Sequence, residues 1–265
     1  MFKGDVDKMK GFLDKIKERA KSDKKTIVLP EGEDIRVIKA ADIIIKEDLA
    51  DIILLGNIDK VDKLAKEEGV DLSKAKVIDP ENASNLEEFA NDFYEMRKSK
   101  GVTLSSALEM VKNSLYYGVM MVKKDLADGM VAGAANSTAD VLRPSLQILK
   151  TAPDTKLVSA FFIMAVPNCE YGEEGIFIFG DCGLNENPDA EALSEIAISS
   201  ASSFTSLVER EPKVAMLSYS TYGSAKNPLV DKVVEATKIA KEKRPDLKID
   251  GELQADAAIV PSIGA

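Results

Sequence analysis

The chain has 265 residues, of which 45% are hydrophobic and 30% are charged; this balance excludes a disordered chain and predicts a soluble globular protein. Its formal net charge of −10, with lysines scattered among acidic residues, predicts that nucleic acid is not a partner. The absence of histidine excludes Ser-His-Asp triads, Cys-His pairs, phosphohistidine and most zinc sites.

Neither a membrane span nor a secretory signal is predicted. The longest charge-free apolar stretch, Leu157 to Pro167, is far shorter than the ~20 residues that cross a bilayer, and the N-terminus lacks a signal-peptide core. We therefore predict a cytoplasmic protein with no membrane partner. Cys169 and Cys182 are expected to be reduced and buried, with a single disulfide as the alternative.

Short apolar runs separated by room for helices predict an α/β fold. In chain order the runs are residues 26–32, 51–56, 76–80, 128–133, 156–166, 175–183, 213–220 and 247–253. Most lack apolar/polar alternation, as in strands buried on both faces. Two sets of residues between them repeat at helical spacing. Ile35, Ile38, Asp42 and Ile45 share one face with Ala41, and the second set is Leu104, Leu108, Val111 and Leu115.

This alternation of strands and helices predicts a three-layer α/β/α architecture with largely parallel sheets. The adjacent runs 156–166 and 175–183 look like an antiparallel hairpin, which predicts a mixed sheet in the second half. A turn-rich segment at 151–156 predicts two domains, residues 1–150 and 151–265. Two domains of similar size would leave a cleft suited to a ligand.

The first candidate site follows the predicted strand at 128–133, at the strand end where open α/β sheets bind ligands. Small residues at 133–135 let the backbone approach a ligand closely, and Ser137 or Thr138 with free helix N–H groups would hold an anion. Arg143 would add a forked donor suited to phosphate. The alternative is that Ser137 or Thr138 only caps the helix and that Arg143 is a surface residue.

Two further polar turns follow predicted strands. Residues 218–228 offer hydroxyls and one cation, Lys226, and the alternative is a glycine turn with a solvated lysine. Residues 179–188 place Asp181 and Cys182 at a strand end, where a catalytic role is conceivable but a structural Asx-turn is favoured. Arg97, at a predicted helix end, is by itself typical of a solvated charge.

The common nucleotide-binding motifs are missing. Neither G-x-G-x-x-G after a strand nor G-x-x-x-x-G-K-[ST] occurs, and no carboxylates have metal-ligand spacing beyond chance. We predict no metal site.

Together these segments resemble the phosphate acetyltransferase (phosphotransacetylase) family along essentially the whole chain. The motifs that carry the resemblance are LPEGED ending at Asp34, FYEMRKSKG at 93–101, DGMVAGAANSTADVLRP at 128–144, FGDCGLNENPDAEALSEIAISSA at 179–201, LSYSTYGSAKNP at 217–228 and DGELQADAA at 250–258. The resemblance implies reversible acetyl transfer between acetyl phosphate and coenzyme A, in acetate metabolism. Coenzyme A is then a substrate, and neither a metal nor another cofactor is implied. It also implies an isocitrate/isopropylmalate dehydrogenase-like two-domain fold and a homodimer with an interdomain active site.

Carried over by motif, the resemblance implies that Arg143 binds substrate and takes part in catalysis, with Ser137 and Thr138 beside the acyl phosphate. Arg97 matches the arginine that the family links to coenzyme A. Three further residues are expected on the phosphate side: Ser220, Thr221 and Lys226.

The chain departs from the family pattern after the DGELQADAA segment. Family members usually continue for several dozen residues that carry an S-R-G motif and an aspartate, assigned to transition-state stabilisation and thiol deprotonation. If Ala265 were the natural end, the resemblance would imply a fragment with little or no turnover.

The mechanism implied by the resemblance is direct attack of the coenzyme A thiolate on the acetyl carbonyl in a ternary complex. An unperturbed thiol has a pKa of about 8.5, so a base is needed, and without histidine a carboxylate fits. The alternative is an acetyl-enzyme on Cys182 or Cys169. Two rival functions stay open: a phosphate butyryltransferase-type acyltransferase, and a catalytically silent binding or assembly subunit.

Overall fold

The computed structural model describes residues 3–153 and 155–264. It divides into two compact units. The N-terminal unit spans Lys17–Lys150, and the C-terminal unit combines the residues up to Ile16 with those from Thr151 onward. Within the described ranges, no helix combines the length and apolar character needed to cross a bilayer.

The N-terminal unit contains a parallel sheet and its covering helices. The elements before Thr151 are α1 (Lys3–Ser22), β1 (Lys25–Leu29), α2 (Ile35–Lys46), β2 (Ala50–Leu55), α3 (Ile58–Glu67), β3 (Lys76–Ile78), α4 (Leu86–Arg97), α5 (Leu104–Lys112), α6 (Ser114–Lys123), β4 (Gly129–Met130) and α7 (Thr138–Ile148). Short 3₁₀ helices lie at Pro80–Asn82 and Lys98–Lys100. The strand order is β3-β2-β1-β4, and every neighbouring pair is parallel.

Both faces of this sheet are buried, which explains why the strands lack alternation. On β2, Ile52 and Leu54 pack in one cluster with Ile38 of α2. Ile53 and Leu55 face the opposite cluster, which includes aromatic residues of α4 and α6. Fully burying such a side chain stabilises the fold by about 1.5–3 kcal/mol. The predicted three-layer α/β/α arrangement is confirmed here.

Two details of the N-terminal unit differ from the sequence prediction. The strand predicted at 128–133 forms β4 only at Gly129–Met130. Further along, Gly133 has a φ of 109°, and its N–H is bound by Glu31. The apolar repeat from Leu104 to Leu115 is divided between α5 and α6. The break falls at Asn113, whose side-chain oxygen accepts a hydrogen bond from the Leu115 N–H at 3.0 Å and caps α6.

The C-terminal unit contains two separate two-stranded sheets. Its elements from Thr151 onward are β5 (Phe161–Ala165), β6 (Ile176–Gly180), α8 (Ala190–Val208), β7 (Lys213–Leu217), α9 (Pro228–Lys243), β8 (Lys248–Leu253), α10 (Ala255–Ile259) and α11 (Pro261–Gly264). The antiparallel hairpin β5–β6 is confirmed, whereas β7 and β8 pair in parallel. Instead of one mixed sheet, the described strands form these two ladders, with Met216, Ala236 and Ile249 in the core beside the second.

Candidate functional site

The carboxyl ends of β1 and β4 define the candidate site of the N-terminal unit. From β1 the chain continues to β2 and β3 on one side, while β4 lies on the other side of β1. Such a reversal of strand order is where ligands of open α/β sheets bind. A groove of about 330 Å³ opens there, lined among others by Glu31, Gly56, Ser114 and Asn136.

The carboxylate of Glu31 binds the loop that follows β4. Oε2 accepts hydrogen bonds from the N–H groups of Gly133 at 2.9 Å and Ala134 at 2.8 Å. Oε1 accepts from the N–H groups of Ala135 at 2.8 Å and Asn136 at 2.9 Å, and from Asn136 Nδ2 at 2.8 Å. The loop expected to approach a ligand closely therefore already holds an anion of this chain.

Glu31 is 8% exposed. Burial raises the pKa of its carboxyl, but hydrogen bonds from Ala135, Asn136 and Ala134 outweigh burial and lower the pKa below the usual range. Glu31 is therefore ionised at neutral pH.

The N-terminus of α7 keeps free donors next to this loop. Ser137 is the N-cap: its Oγ accepts a hydrogen bond from the Asp140 N–H at 3.3 Å and donates to Asp140 Oδ2 at 2.6 Å. The capping alternative from the sequence thus describes Ser137. The exposed Thr138 hydroxyl, with the N–H groups of Thr138 and Ala139, forms no hydrogen bond to any described residue.

Two arginines of the N-terminal unit are unpaired. Arg143, on α7, is exposed and forms no hydrogen bond or ion pair with the described residues. Arg97, the last residue of α4, has a buried Nε that finds no acceptor among the described residues. Other arginines of this acidic chain pair with carboxylates: Arg36 with Asp34, Arg210 with Glu173 and Arg244 with Asp246.

Tyr116 on α6 connects the two helices that carry these arginines. Its hydroxyl donates to Gln147 Oε1 at 3.2 Å, and its ring meets Phe93 edge-on with the ring centroids 5.5 Å apart. Arg97 and Arg143 lie one helical turn from Phe93 and Gln147, respectively. Burial raises the pKa of Tyr116, and the charges of Arg143 and Arg97 oppose that rise. Both guanidinium groups therefore act on the same hydroxyl.

In the C-terminal unit, Ser220 is committed to its own loop. Its side chain is fully buried, and its Oγ donates to Glu252 Oε1 at 3.0 Å and accepts from the Ala225 N–H at 3.1 Å. The Gly223 N–H also donates to Glu252 Oε1, at 2.7 Å. This geometry favours a loop-supporting role for Ser220 over the ligand contact expected from the sequence.

Thr221 and Lys226 belong to the same turn and differ in their contacts. Thr221 Oγ1 accepts a hydrogen bond from the Gln254 N–H at 2.9 Å. Lys226 is exposed and has no hydrogen-bond or ion-pair partner in the described part of the chain. Lys226 is therefore the available cation of this turn.

Asp181 has the Asx-turn geometry favoured by the sequence. Its Oδ1 accepts from the N–H groups of Gly183 and Leu184, both at 2.8 Å, and its Oδ2 accepts from Asn185 Nδ2 at 2.6 Å. Cys182 donates from Sγ to the Phe179 carbonyl. Both cysteines are unpaired and partly exposed, so the expectation that they are buried was wrong.

The substitution Asp181→Asn should reduce the acid sensitivity of the fold. Burial raises the pKa of Asp181, but hydrogen bonds from Leu184, Asn185 and Gly183 prevail and lower it from 3.8 to about 2. The unfolded state thus binds more protons, so the ionised Asp181 contributes about 2 kcal/mol above pH 4, lost as the pH falls from 4 towards 2. In urea unfolding across this range, the stability advantage of wild type over Asp181→Asn should shrink by that amount. A pH-independent difference would contradict this prediction.

Among the described residues, no three His, Cys, Asp or Glu side chains are grouped so that they could hold a metal ion.

Comparison with known proteins identifies the family. The family described as phosphate acetyl/butaryl transferase matches residues 11–265. The chain belongs to this family.

Relatives in this family are close in sequence and structure. The chain is 62% identical over 252 residues to a phosphate acetyltransferase of Acetivibrio thermocellus, which covers 95% of this chain and 75% of the relative. The phosphotransacetylase of Streptococcus pyogenes superposes with a TM-score of 0.88 at 41% identity, covering 96% of this chain and 76% of that one. The EutD phosphotransacetylase of Staphylococcus aureus has a TM-score of 0.86 at 43% identity, covering 97% and 76%. The curated relatives are phosphate acetyltransferases, which are acyltransferases, and the chain spans about three quarters of the length of those most similar to it.

The residues selected by family motifs are distributed over both units. The N-terminal unit contains Arg97, Ser137, Thr138 and Arg143, and the C-terminal unit contains Ser220, Thr221 and Lys226. Sequence reasoning missed the two buried glutamates, Glu31 and Glu252. Glu31 lies within the LPEGED motif, but nothing local indicates its partners 102 to 105 positions away.

Proposed function

We propose that this chain transfers an acetyl group reversibly between acetyl phosphate and coenzyme A, by direct thiolate attack in a ternary complex. Family membership supports the reaction class. The structural observation that carries the proposal is that Arg97 and Arg143 lack carboxylate partners among the described residues and lie on two helices that both contact Tyr116. In a chain with a net charge of −10, cations without a carboxylate partner are suited to an anionic ligand.

Acetyl phosphate is assigned to the N-terminus of α7. The free N–H groups of Thr138 and Ala139, with the Thr138 hydroxyl, are donors suited to phosphate at the positive end of the helix dipole. Arg143 lies one turn further along α7, and side chains on a helix lean towards its N-terminal end. Its guanidinium can bind the phosphate and stabilise the charge that develops as phosphate leaves. Ser137 holds the helix end in place.

Coenzyme A is assigned to Arg97, whose buried Nε lacks an acceptor. Its phosphate groups would supply acceptors for this donor. A carboxylate is the base that a histidine-free chain offers for the coenzyme A thiol. The step requires no metal or other cofactor. The phosphate-side roles of Thr221 and Lys226 stay predictions. So does that of Ser220, although its buried hydroxyl is already bonded to Glu252 and to the Ala225 N–H.

Assays of phosphate release and of coenzyme A binding on the purified protein test this function. Coenzyme A-dependent release of phosphate should occur with acetyl phosphate, should persist in the presence of a chelator, and should be slower with butyryl phosphate. Faster release with butyryl phosphate would support the butyryltransferase alternative. Calorimetric binding of coenzyme A without any phosphate release would support the silent binding subunit and overturn the proposal.

We also propose that the protein is a cytoplasmic homodimer that acts in acetate metabolism. The hairpin β5–β6 supports the dimer, because its large apolar side chains include Phe162, 59% exposed, and Phe179, 45% exposed. Clustered apolar exposure of this kind marks protein interfaces. Sedimentation equilibrium should give twice the chain mass of 28.7 kDa. A monomer mass at all concentrations would contradict the homodimer.

A further inference from the structure

We propose that Glu31 is a positioning residue for the acetyl phosphate site: its ionised carboxylate holds the loop at 133–136 so that the N-terminus of α7 presents its free donors to the substrate. This inference rests on the proposed function, because it takes α7 as the acetyl phosphate site.

Glu31 links the ends of β1 and β4, two strands that are far apart in the sequence and adjacent in the sheet. Glu31 lies two residues after the end of β1, and Gly133 lies three residues after the end of β4. These parallel neighbours end side by side at the reversal of strand order. Glu31 therefore ties the two strand ends together where a ligand of an open α/β sheet binds.

The hydrogen bonds of Glu31 fix the backbone directly before the helix cap. Both carboxylate oxygens are used, and the four bound N–H groups belong to consecutive residues, Gly133 to Asn136. The next residue is Ser137, the N-cap of α7. With four consecutive peptide groups held, the direction in which α7 begins is set by the carboxylate.

A second charged side chain holds the same loop from its carbonyl side. Nη2 of Arg36 donates to the Ala134 carbonyl, and the Arg36 guanidinium is itself held by two hydrogen bonds to Asp34. Loop 133–136 thus lies between a carboxylate that accepts from its N–H groups and a guanidinium that donates to one of its carbonyls. An internal anion at this place also leaves the substrate phosphate to the donors beyond the loop, Thr138, Ala139 and Arg143.

The carboxylate charge and shape are both needed for this arrangement. In Glu31→Gln, one oxygen is replaced by an NH₂ group that cannot accept hydrogen bonds, so it would face N–H donors. Glu31→Asp keeps the charge but shortens the reach. Glu33→Gln is a matched control two residues away, because Glu33 accepts from the Asn57 N–H and Lys60 Nζ and not from the loop.

The experiment combines amide hydrogen exchange with steady-state kinetics on the full chain. In Glu31→Gln, exchange of the amides of 133–136 should rise at least about tenfold, and kcat/KM for acetyl phosphate should fall about 100-fold, as for a misplaced reactive group. The KM for coenzyme A should stay unchanged, because Arg97 lies on α4. For Glu31→Asp, the exchange rates and kcat/KM should lie between those of wild type and those of Glu31→Gln. For Glu33→Gln, both should equal those of wild type. A general loss of folding would instead impair the kinetic constants for acetyl phosphate and for coenzyme A together.

Unchanged exchange at 133–136 in Glu31→Gln would overturn the proposal. Faster exchange with an unchanged kcat/KM for acetyl phosphate would also overturn it. That result would mean that Glu31 holds the loop but that its hold does not affect use of the substrate. If Glu31→Gln does not fold, the exchange and kinetics of Glu31→Asp decide the same question. Failure of the proposed function is separate: wild type itself would then release no phosphate, whereas the exchange comparison still reports whether Glu31 holds the loop.

Discussion

Arg143→Ala should lower kcat/KM for acetyl phosphate by about 10²–10³-fold while leaving the midpoint of thermal unfolding unchanged, the loss typical of one transition-state donor. Arg143 is exposed and contacts no acceptor among the described residues, so the fold loses no hydrogen bond. Arginine and alanine are both good helix formers, so α7 keeps its stability. Surface substitutions of this kind usually change stability by less than about 0.5 kcal/mol.

Two variants make this result specific. Arg143→Lys keeps the charge but loses the planar fork, so its kcat/KM should lie between alanine and wild type. Arg210→Ala is the matched control, because Arg210 is also exposed but pairs with Glu173, and its removal should leave kcat/KM unchanged. If Arg143→Ala melts at a lower temperature and retains wild-type kinetics, Arg143 serves only the helix.

The fold of the N-terminal unit could be predicted because its signals are local. The run DIILLG contains apolar residues at adjacent positions, and the structure sends Ile53 and Leu54 to opposite faces of the sheet. Burial on both faces requires a helical layer on each side, and the predicted helices supply those layers. The short β4 could not be predicted, because the backbone after it is bound by a side chain from elsewhere in the chain.

The candidate site was predicted only in part for the same reason. Motifs indicated Arg143 and Arg97. The sequence could not show that they lack carboxylate partners, because this depends on which acidic residues the fold brings near them. The loop at 133–136 looked open to a ligand from its small residues alone. Its N–H groups are instead taken by Glu31, a residue more than a hundred positions earlier.

Both units use a buried carboxylate to hold the polar loop after a neighbouring strand. Glu31, after β1, binds the loop that follows β4, and Glu252, in β8, binds the loop that follows β7. In each case hydrogen bonds from the loop lower the pKa of the glutamate below its usual range. Hydroxyls and N–H groups that the sequence suggests as ligand donors can thus be structural. The donors that stay available lie a few residues after these bound groups, at Thr138 and Lys226.

Arg97→Met should weaken coenzyme A binding by about 10–100-fold, corresponding to the 1.5–3 kcal/mol of a hydrogen bond to a charged group. It should also leave the free energy of unfolding unchanged or raise it by about 1 kcal/mol. The buried Nε of Arg97 has no acceptor within the described part of the chain, and an unsatisfied buried donor destabilises the folded state. Methionine keeps an apolar stem of similar length without that donor.

Opposite effects on binding and stability separate a ligand-binding arginine from a structural one. Calorimetry should give the coenzyme A affinity at two salt concentrations, since loss of a charge contact also reduces the salt dependence of binding. Urea unfolding without ligand should give the stability. Arg244→Met is the control, because Arg244 pairs with Asp246 and should leave coenzyme A affinity unchanged. If Arg97→Met destabilises the chain and binds coenzyme A as wild type does, Arg97 supports the end of α4 and does not bind coenzyme A.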